Sequence, residues 1–419
     1  MISQLFPTKP VVTIKFPTPS PYFLAFTYEG ITAQFDNGLI ATPYLAYNPN
    51  DNTFMTPTIN FLIQLNLSDM FKDYKIYGGF SVLASLQGAQ YFLTYENLKH
   101  RLDKKITFFR TGETDTYDPN TPNSYYRITS NALDMQLKYP FNETSSLRGD
   151  IVGRLDRTVY LSGEQTTLGL PSENKIWTGS KLEYVFDNTI NVGPNLYYGT
   201  RAKLYTEFYD QVNNRGNYFQ TFGTDIRTYT KVSRQIIWAN RFAAAVSVGT
   251  AKIVYFLGGV DDWLFPNFNT ANQVDPNQNY AYKALASPMR GFNQNVRNGS
   301  SYAVFNSELR IPIIKYLVNH PIRSTLLDNL QVIGFFDAGT AWTGFDPFSI
   351  ENAFNKTIYT SPPSFIVTVT SLRDPIVYGY GFGFRTVLFG YYVKLDYAWG
   401  VDDGITGNVI TYLSLGYDF

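Results

Sequence analysis

Apolar and polar residues alternate along this chain over segments of ten residues or more, which strongly restricts the folds open to it. Between Tyr391 and Gly400, Val393 and Leu395 lie on one face of an extended strand. Lys394 and Asp396 lie on the opposite face, because successive side chains of a strand point to opposite sides. A soluble β-sandwich or barrel typically has strands of about 5 to 6 residues, whereas about 9 to 11 residues cross a bilayer in a transmembrane barrel. The length of the alternation therefore favours the transmembrane barrel.

The charged faces of these segments support the same interpretation. From Ser146 to Tyr160, one face carries Arg148, Asp150, Arg154 and Asp156. Four charges on one face are too many for the packed core of a sandwich, but they suit the polar lumen of a membrane barrel. The opposite face carries Leu147, Ile151, Leu155 and Val159 and would then contact outer-membrane lipid. A helical span is not expected, because no run of 18 or more apolar residues is present.

Counting these segments predicts an all-β fold, a transmembrane antiparallel β-barrel of about sixteen strands. The predicted spans are 22–36, 55–66, 74–85, 88–97, 103–111, 124–139, 144–161, 175–189, 198–210, 216–232, 235–249, 300–314, 328–342, 376–389, 391–400 and 408–419. With both termini in the periplasm, the odd-numbered connections should be long and extracellular. The long connections do fall at odd positions, at 37–54, 112–123, 162–174, 250–299 and 343–375.

The first 21 residues differ from the rest in composition. Prolines recur through them, at Pro7, Pro10, Pro17, Pro19 and Pro21. Such punctuation is typical of an extended linker. We therefore assign 1–21 to a periplasmic linker or entry segment and 22–419 to the barrel.

Composition also excludes several classes of function. Lys and Arg (34) balance Asp and Glu (34), so the basic surface of a nucleic-acid binder is not expected. Cysteine is absent, which removes thiolate catalysis and cysteine-ligated zinc. The two histidines, His100 and His320, lie in predicted turns, and no nucleophile-and-base arrangement is visible. We therefore expect a protein that is not an enzyme and needs no cofactor or metal.

The longest connection carries a conspicuous short motif. It runs from Thr250 to Gly299, 50 residues by count, and contains Arg290-Gly291-Phe292. A loop of this length is usually functional or disordered. One interpretation is a partly ordered surface hairpin with an ordinary arginine. The other is a long extracellular loop folded into the lumen.

The strands after this loop favour the second interpretation. Glu308 and Arg310 share the predicted lumenal face of the twelfth strand, and Asp337 lies on that of the thirteenth. A loop that folds back into the barrel would bring Arg290 to Asp337. A guanidinium and a carboxylate form a directional, charge-assisted contact.

The order of these motifs resembles the superfamily of BamA, TamA and the two-partner secretion transporter FhaC. The matching residues are Leu257-Gly258-Gly259, Arg290-Gly291-Phe292, Glu308-Leu309-Arg310, Gly334-Phe335-Phe336-Asp337-Ala338-Gly339 and a terminal aromatic residue, Phe419. The resemblance is strongest from Tyr255 to Phe419. It implies a sixteen-stranded barrel whose sixth extracellular loop places the Arg290-Gly291-Phe292 tip inside, with Arg290 paired to Asp337.

The resemblance also implies a function. It predicts an integral protein of the bacterial outer membrane that takes part in the insertion or translocation of other proteins, with client polypeptides and periplasmic or lipoprotein subunits as partners. Members usually carry periplasmic POTRA modules before the barrel, and there is no room for one ahead of Tyr22. Those modules either were removed or are replaced by other chains. The alternative is a structural or receptor barrel in a larger envelope complex, plugged by its own loop, and a passive porin comes third.

Two features near the C-terminus complete the prediction. Gly379, Gly381, Gly383 and Arg385 share one face of the fourteenth strand. These glycines either allow the strand to bend or leave room for the loop tip, and Arg385 would add positive charge to the lumen.

The last strand carries Leu413, Leu415, Tyr417 and Phe419 at alternate positions, which resembles the signal read by barrel-assembly machinery. A weakly patterned first strand suggests a seam with the last strand that opens laterally.

Overall fold

The computed structural model describes residues 18, 22–36, 44–48, 54, 60–83, 89–116, 125–161, 169–318, 323–361 and 365–417. Within these ranges the chain forms one large sheet, a four-stranded sheet and a two-stranded hairpin. No helix in the described ranges is both long and apolar enough to cross a membrane. Of the predicted entry segment 1–21, all but Thr18 lies outside the described residues.

Sixteen strands form the wall, each antiparallel to the next along the chain. Their bounds are β1 Thr27–Asp36, β2 Asn60–Ser68, β3 Tyr74–Leu83, β4 Ala89–Asn97, β5 Asp103–Thr116, β6 Tyr125–Pro140, β7 Ser145–Tyr160, β8 Glu173–Asp187, β9 Leu196–Gln211, β10 Tyr218–Lys231, β11 Ile237–Gly249, β12 Ser301–Ile311, β13 Gln331–Trp342, β14 Val377–Leu388, β15 Tyr391–Asp402 and β16 Ile410–Leu415. Two short strands, Ile190–Gly193 and Ile405–Thr406, extend this sheet to eighteen strands. The predicted antiparallel barrel fold is confirmed.

The seam between the first and last strands differs from the rest of the wall. β1 pairs with β2 over nine registered positions, and β16 pairs with β15 over six. Within the described ranges, no ladder joins β16 to β1. The seam is therefore the one interruption in an otherwise continuous series of described strand pairs.

The wall has an apolar outer face and a charged lumenal face, as the alternation predicts. Leu204, in the middle of β9, points outward and is 54% exposed. On the lumenal side, Lys181 Nζ lies 3.2 Å from Glu207 Oε1, and Arg148 Nη1 lies 3.2 Å from Glu183 Oε1. Opposite charges on neighbouring strands therefore pair across the inner surface.

Short and long connections alternate between the two ends of the barrel. At the end that we call the turn rim, short turns join even-numbered strands to the next strand; Phe389 and Gly390 make one of them with φ of 52° and 86°. The longer connection between β12 and β13 contains α1 (Ile313–Leu317) and α2 (Thr325–Asp328). The opposite end, the loop rim, carries the long connections. Between β13 and β14 these include a 3-10 helix, Ala353–Asn355, and a hairpin of Lys356–Ser361 with Phe365–Thr370.

The connection between β11 and β12, residues 250–300, fills the lumen and is called the plug loop below. Its strands Lys252–Leu257, Tyr280–Ala286 and Arg297–Gly299 form a four-stranded sheet with Leu45–Ala46 from the connection after β1. Tyr255 and Tyr282 of the plug loop pack with the inward-facing Trp177 and Phe219 of the wall. The largest apolar core therefore lies between the plug loop and the wall.

Candidate functional site

The tip of the plug loop, Arg290-Gly291-Phe292, lies inside the barrel against the last strands of the wall. Met289 N donates to Gly259 O at 2.8 Å and Gly259 N donates to Phe292 O at 3.1 Å, so the tip is a turn closed on the loop's own backbone. Gly291 has a φ of 93°, a conformation that glycine adopts without steric cost. A Cβ at this position would lie 2.5 Å from Gly400 N on β15. The glycine thus lets the tip rest directly on the wall.

Arg290 and Asp337 form a buried, two-pronged ion pair. Arg290 Nε donates to Asp337 Oδ2 at 2.7 Å, and Arg290 Nη2 donates to Oδ1 at 2.8 Å. The backbone N–H of Arg290 donates to Oδ2 at 3.1 Å. Arg290 is 2% exposed and Asp337 is 0% exposed. Because an arginine fork constrains both the distance and the orientation of a carboxylate, this pair sets the position of the tip against β13.

Glu308 on β12 joins the network from the other side of the guanidinium. Arg290 Nη1 donates to Glu308 Oε1 at 2.5 Å, and Arg310 Nε donates to Glu308 Oε2 at 2.8 Å. All three side chains are at least 97% buried. Burying a charge is costly unless it is paired and hydrogen-bonded. The shared carboxylate meets that requirement for two arginines.

Arg385 extends the same cluster along β14 and β15. Its Nη1 and Nη2 donate to the two oxygens of Asp396 at 2.6 and 2.9 Å. Asp396 Oδ2 lies 4.0 Å from Arg290 Nη1. The positive charge predicted for Arg385 is therefore locally balanced by Asp396. The three arginines and three carboxylates named here bring β12, β13, β14 and β15 together around the loop tip.

The residues of the β13 motif divide between the two faces of the wall. Phe335 faces the lumen, and Arg290 Cζ lies 3.7 Å from the centroid of its ring, a cation–π geometry. Gly339 also faces inward, where a Cβ would lie 3.3 Å from Met289 Sδ. Phe336 points outward and is 43% exposed. Phe335 and Gly339 therefore contact the plug loop, whereas Phe336 belongs to the outer surface.

The glycine row of β14 lets neighbouring groups approach the strand closely. A Cβ on Gly379 would lie 1.9 Å from Arg290 O, so this glycine makes room for the tip. A Cβ on Gly381 would lie 2.0 Å from Tyr397 O, and one on Gly383 would lie 2.0 Å from Asp396 Oδ1. The last two positions therefore allow close packing within the wall.

Two further polar residues, Tyr412 and Asn306, belong to the site. The Tyr412 hydroxyl on β16 accepts from Gly291 N at 2.9 Å and donates to Phe292 O at 2.7 Å. Asn306 Nδ2 donates to Asp337 Oδ1 at 2.9 Å and to Pro288 O at 2.8 Å. Asn306 shares the face of Glu308, so its position signalled the role. Tyr412 lies on the face opposite the apolar row that drew attention to the last strand.

The C-terminal row is only partly continuous. Leu413 and Leu415 lie on β16, but the strand ends at Leu415, where a longer strand to 419 was predicted. Gly416 has a φ of 111°, which turns the chain out of the strand. Tyr417 lies beyond the end of the strand, is 55% exposed and stacks on Tyr392 at 5.0 Å between ring centroids. Phe419 lies outside the described residues.

The comparisons with known proteins bear on the fold. No protein-family model matches the chain, and no curated protein matches it. Among solved structures, BamA from Haemophilus ducreyi lacking POTRA domains 1-3 is 10% identical with a TM-score of 0.55, and the alignment covers 94% of this chain and 75% of that one. CdiB from Acinetobacter baumannii is 13% identical (TM-score 0.48; 93% and 59% covered), and CdiB from Escherichia coli is 12% identical (TM-score 0.49; 95% and 63% covered). The chain spans about three-fifths of each CdiB structure. The likeness to BamA shows the fold: this chain has the β-barrel fold found in that structure.

Proposed function

We propose that this protein is an integral outer-membrane barrel that takes part in the insertion or translocation of other proteins. The observations that support the proposal are the barrel fold found also in BamA and the seam, where the described residues of β1 and β16 form no ladder with each other. An unpaired strand edge can accept another strand. The apolar outer face, with aromatic residues such as Phe336 exposed, suits contact with lipid.

The plug loop has a mechanical role in this proposal. The network of Arg290, Asp337 and Glu308 holds its tip against β12 and β13, which stiffens the later strands while the seam stays weak. A filled lumen also opposes free conduction, so the proposal disfavours a passive porin. The role is non-catalytic, with lipoprotein or periplasmic subunits and client polypeptides as partners. Residues 1–21 serve as the periplasmic entry segment and 22–419 as the barrel.

The proposal is tested by depleting the protein from the source bacterium and quantifying other outer-membrane β-barrels. We expect their abundance in the outer membrane to fall before growth stops, and re-expression of the wild-type chain to restore it. Abundance that stays unchanged under full depletion would contradict a role in insertion. It would instead favour the alternative, a plugged structural or receptor barrel within a larger envelope complex.

A further inference from the structure

The last strand has one paired edge and one edge that faces the seam. In an antiparallel pair, successive residues alternate between those that bond to the partner strand and those that point away from it. Gly416 N donates to Tyr392 O at 3.0 Å, which places Gly416 and Ser414 among the residues bonded to β15. Leu413 and Leu415 therefore direct their backbone groups toward the seam.

A segment of the plug loop occupies this seam-facing edge. Leu264 N donates to Leu413 O at 3.0 Å, and Leu415 N donates to Asp262 O at 3.4 Å. Between these two bonds, Trp263 and Ser414 form an antiparallel bridge. Asp262–Leu264 thus adds a three-residue strand to the edge of β16.

Side-chain packing shows that the contact is built into the lumen. Trp263 is 5% exposed, and its ring centroid lies 4.7 Å from that of Tyr412, its diagonal cross-strand neighbour on the same face of β16. A Cβ on Gly416 would lie 2.9 Å from Asp262 Oδ2. Asp262 itself has a φ of 55°, which turns the loop away after two hydrogen bonds.

The plug loop also reaches the chain on the other side of the seam. Its strand Tyr280–Ala286 pairs with Leu45–Ala46, and Tyr47 N donates to Ala281 O at 2.9 Å. Leu45 and Ala46 follow β1 in the chain. One loop therefore bonds to the connection after the first strand and to the edge of the last strand.

We propose that Asp262–Leu264 is an internal competitor strand, which occupies the seam-facing edge of β16 and must leave before an added polypeptide strand can pair there. The inference deepens the proposed function, since the competing strand would be supplied by a client protein. Main-chain hydrogen bonds make such an edge receptive to many sequences. Asp262–Leu264 makes two main-chain hydrogen bonds to this edge. Its removal should therefore raise the affinity of β16 for an added strand on the order of ten-fold.

The contact itself is tested with cysteines, which the native chain lacks. In the variant Trp263→Cys with Ser414→Cys, we expect a disulfide to form in the folded barrel, because flanking hydrogen bonds make this a closely spaced pair. The matched control, Phe265→Cys with Ser414→Cys, should not form one. Absence of the disulfide in the first variant, or equal formation in both, would overturn the proposal.

Competition is tested with a fluorescent peptide that has the sequence of β1, Thr27–Asp36, the strand on the other side of the seam from β16. Leu264→Pro removes the N–H that donates to Leu413 O, whereas Leu264→Ala keeps it. We expect Leu264→Pro to bind the peptide about ten-fold more tightly than wild type or Leu264→Ala, and a scrambled peptide to bind none of them. The disulfide-locked variant should bind only after reduction.

Equal peptide binding by the locked and reduced forms would contradict the competition. If Leu264→Pro does not fold, reduction of the locked variant still decides the point. A disulfide and competition that behave as expected, together with unchanged outer-membrane proteins after depletion, would keep the strand site and reject the proposed function.

Discussion

At the scale of single residues, Arg290 is held by several partners at once. Asp337 binds two guanidinium nitrogens and the backbone N–H, Glu308 binds the third nitrogen, and Phe335 lies beneath the plane. Every one of these groups is buried. Removing one partner therefore leaves an uncompensated charge in the lumen, which is more damaging than losing the contact alone.

A charge exchange tests this arrangement. Arg290→Glu should destabilise the barrel by about 3 to 5 kcal/mol, because it places a third carboxylate beside Asp337 and Glu308. Adding Asp337→Arg should restore part of the loss, since the reversed pair forms again while Glu308 stays opposed. Thermal unfolding in detergent micelles measures both. If Arg290→Glu alone and Asp337→Arg alone both melted at the wild-type temperature, the pair would be unimportant for stability.

At the scale of secondary-structure elements, the close approach of loop and strand depends on glycines, which have no side chain. Gly379 on β14 leaves space for the backbone oxygen of Arg290, and Gly291 leaves space for β15. Glycine in a strand interior often marks such an approach. The loop tip and the wall are therefore complementary in their backbones as well as in their charges.

The substitution Gly379→Ala tests this complementarity. The added methyl group collides with Arg290 O. The loop tip should therefore be displaced from the wall, and the free energy of unfolding should fall by about 1 to 3 kcal/mol. Trypsin should then cleave after Arg290, which is 2% exposed in the native chain. The matched control is Gly334→Ala, which meets nothing within 4 Å. Resistance of Gly379→Ala to trypsin equal to that of the control would refute the steric argument.

Strands were more predictable than the loop that they enclose. Each of the sixteen predicted segments overlaps a wall strand, because period-two alternation records directly which side chains point outward and which face the lumen. The pairing of Arg290 with Asp337 followed from motifs. The hydroxyl of Tyr412 and the edge contact of Asp262–Leu264 did not, because main-chain bonds between distant segments leave no periodic trace in the sequence.

At the scale of the whole molecule, the outer face of a membrane barrel should contact lipid in the middle of each strand and water beyond the strand ends. Leu204 lies in the middle of β9 and faces outward, whereas Val212 lies just beyond the end of that strand. Their exposures are similar, 54% and 48%. Their positions along the strand direction differ, so the pair tests whether the middle of this outer face contacts lipid.

Arginine substitutions at these two positions should therefore differ. Leu204→Arg is expected to cost about 2 to 4 kcal/mol and Val212→Arg about 0 to 1, since the penalty falls from the bilayer midplane toward the interface. Urea unfolding of the barrel in lipid vesicles measures both values. Equal costs at the two positions would contradict the assignment of this outer face to the membrane.

The plug loop also constrains the order of folding. Its contacts join distant parts of the chain: Arg290 and Asp337 are 47 residues apart, and Gly291 and Tyr412 are 121 residues apart. Wall hairpins close much shorter segments, and closing a long loop costs more entropy before any contact is gained. We therefore expect the hairpins to form first, the loop to dock next, and the wall to close around the loop afterwards. A chain whose wall closes before the loop docks would be kinetically trapped, with Arg290 unable to reach Asp337 and Glu308.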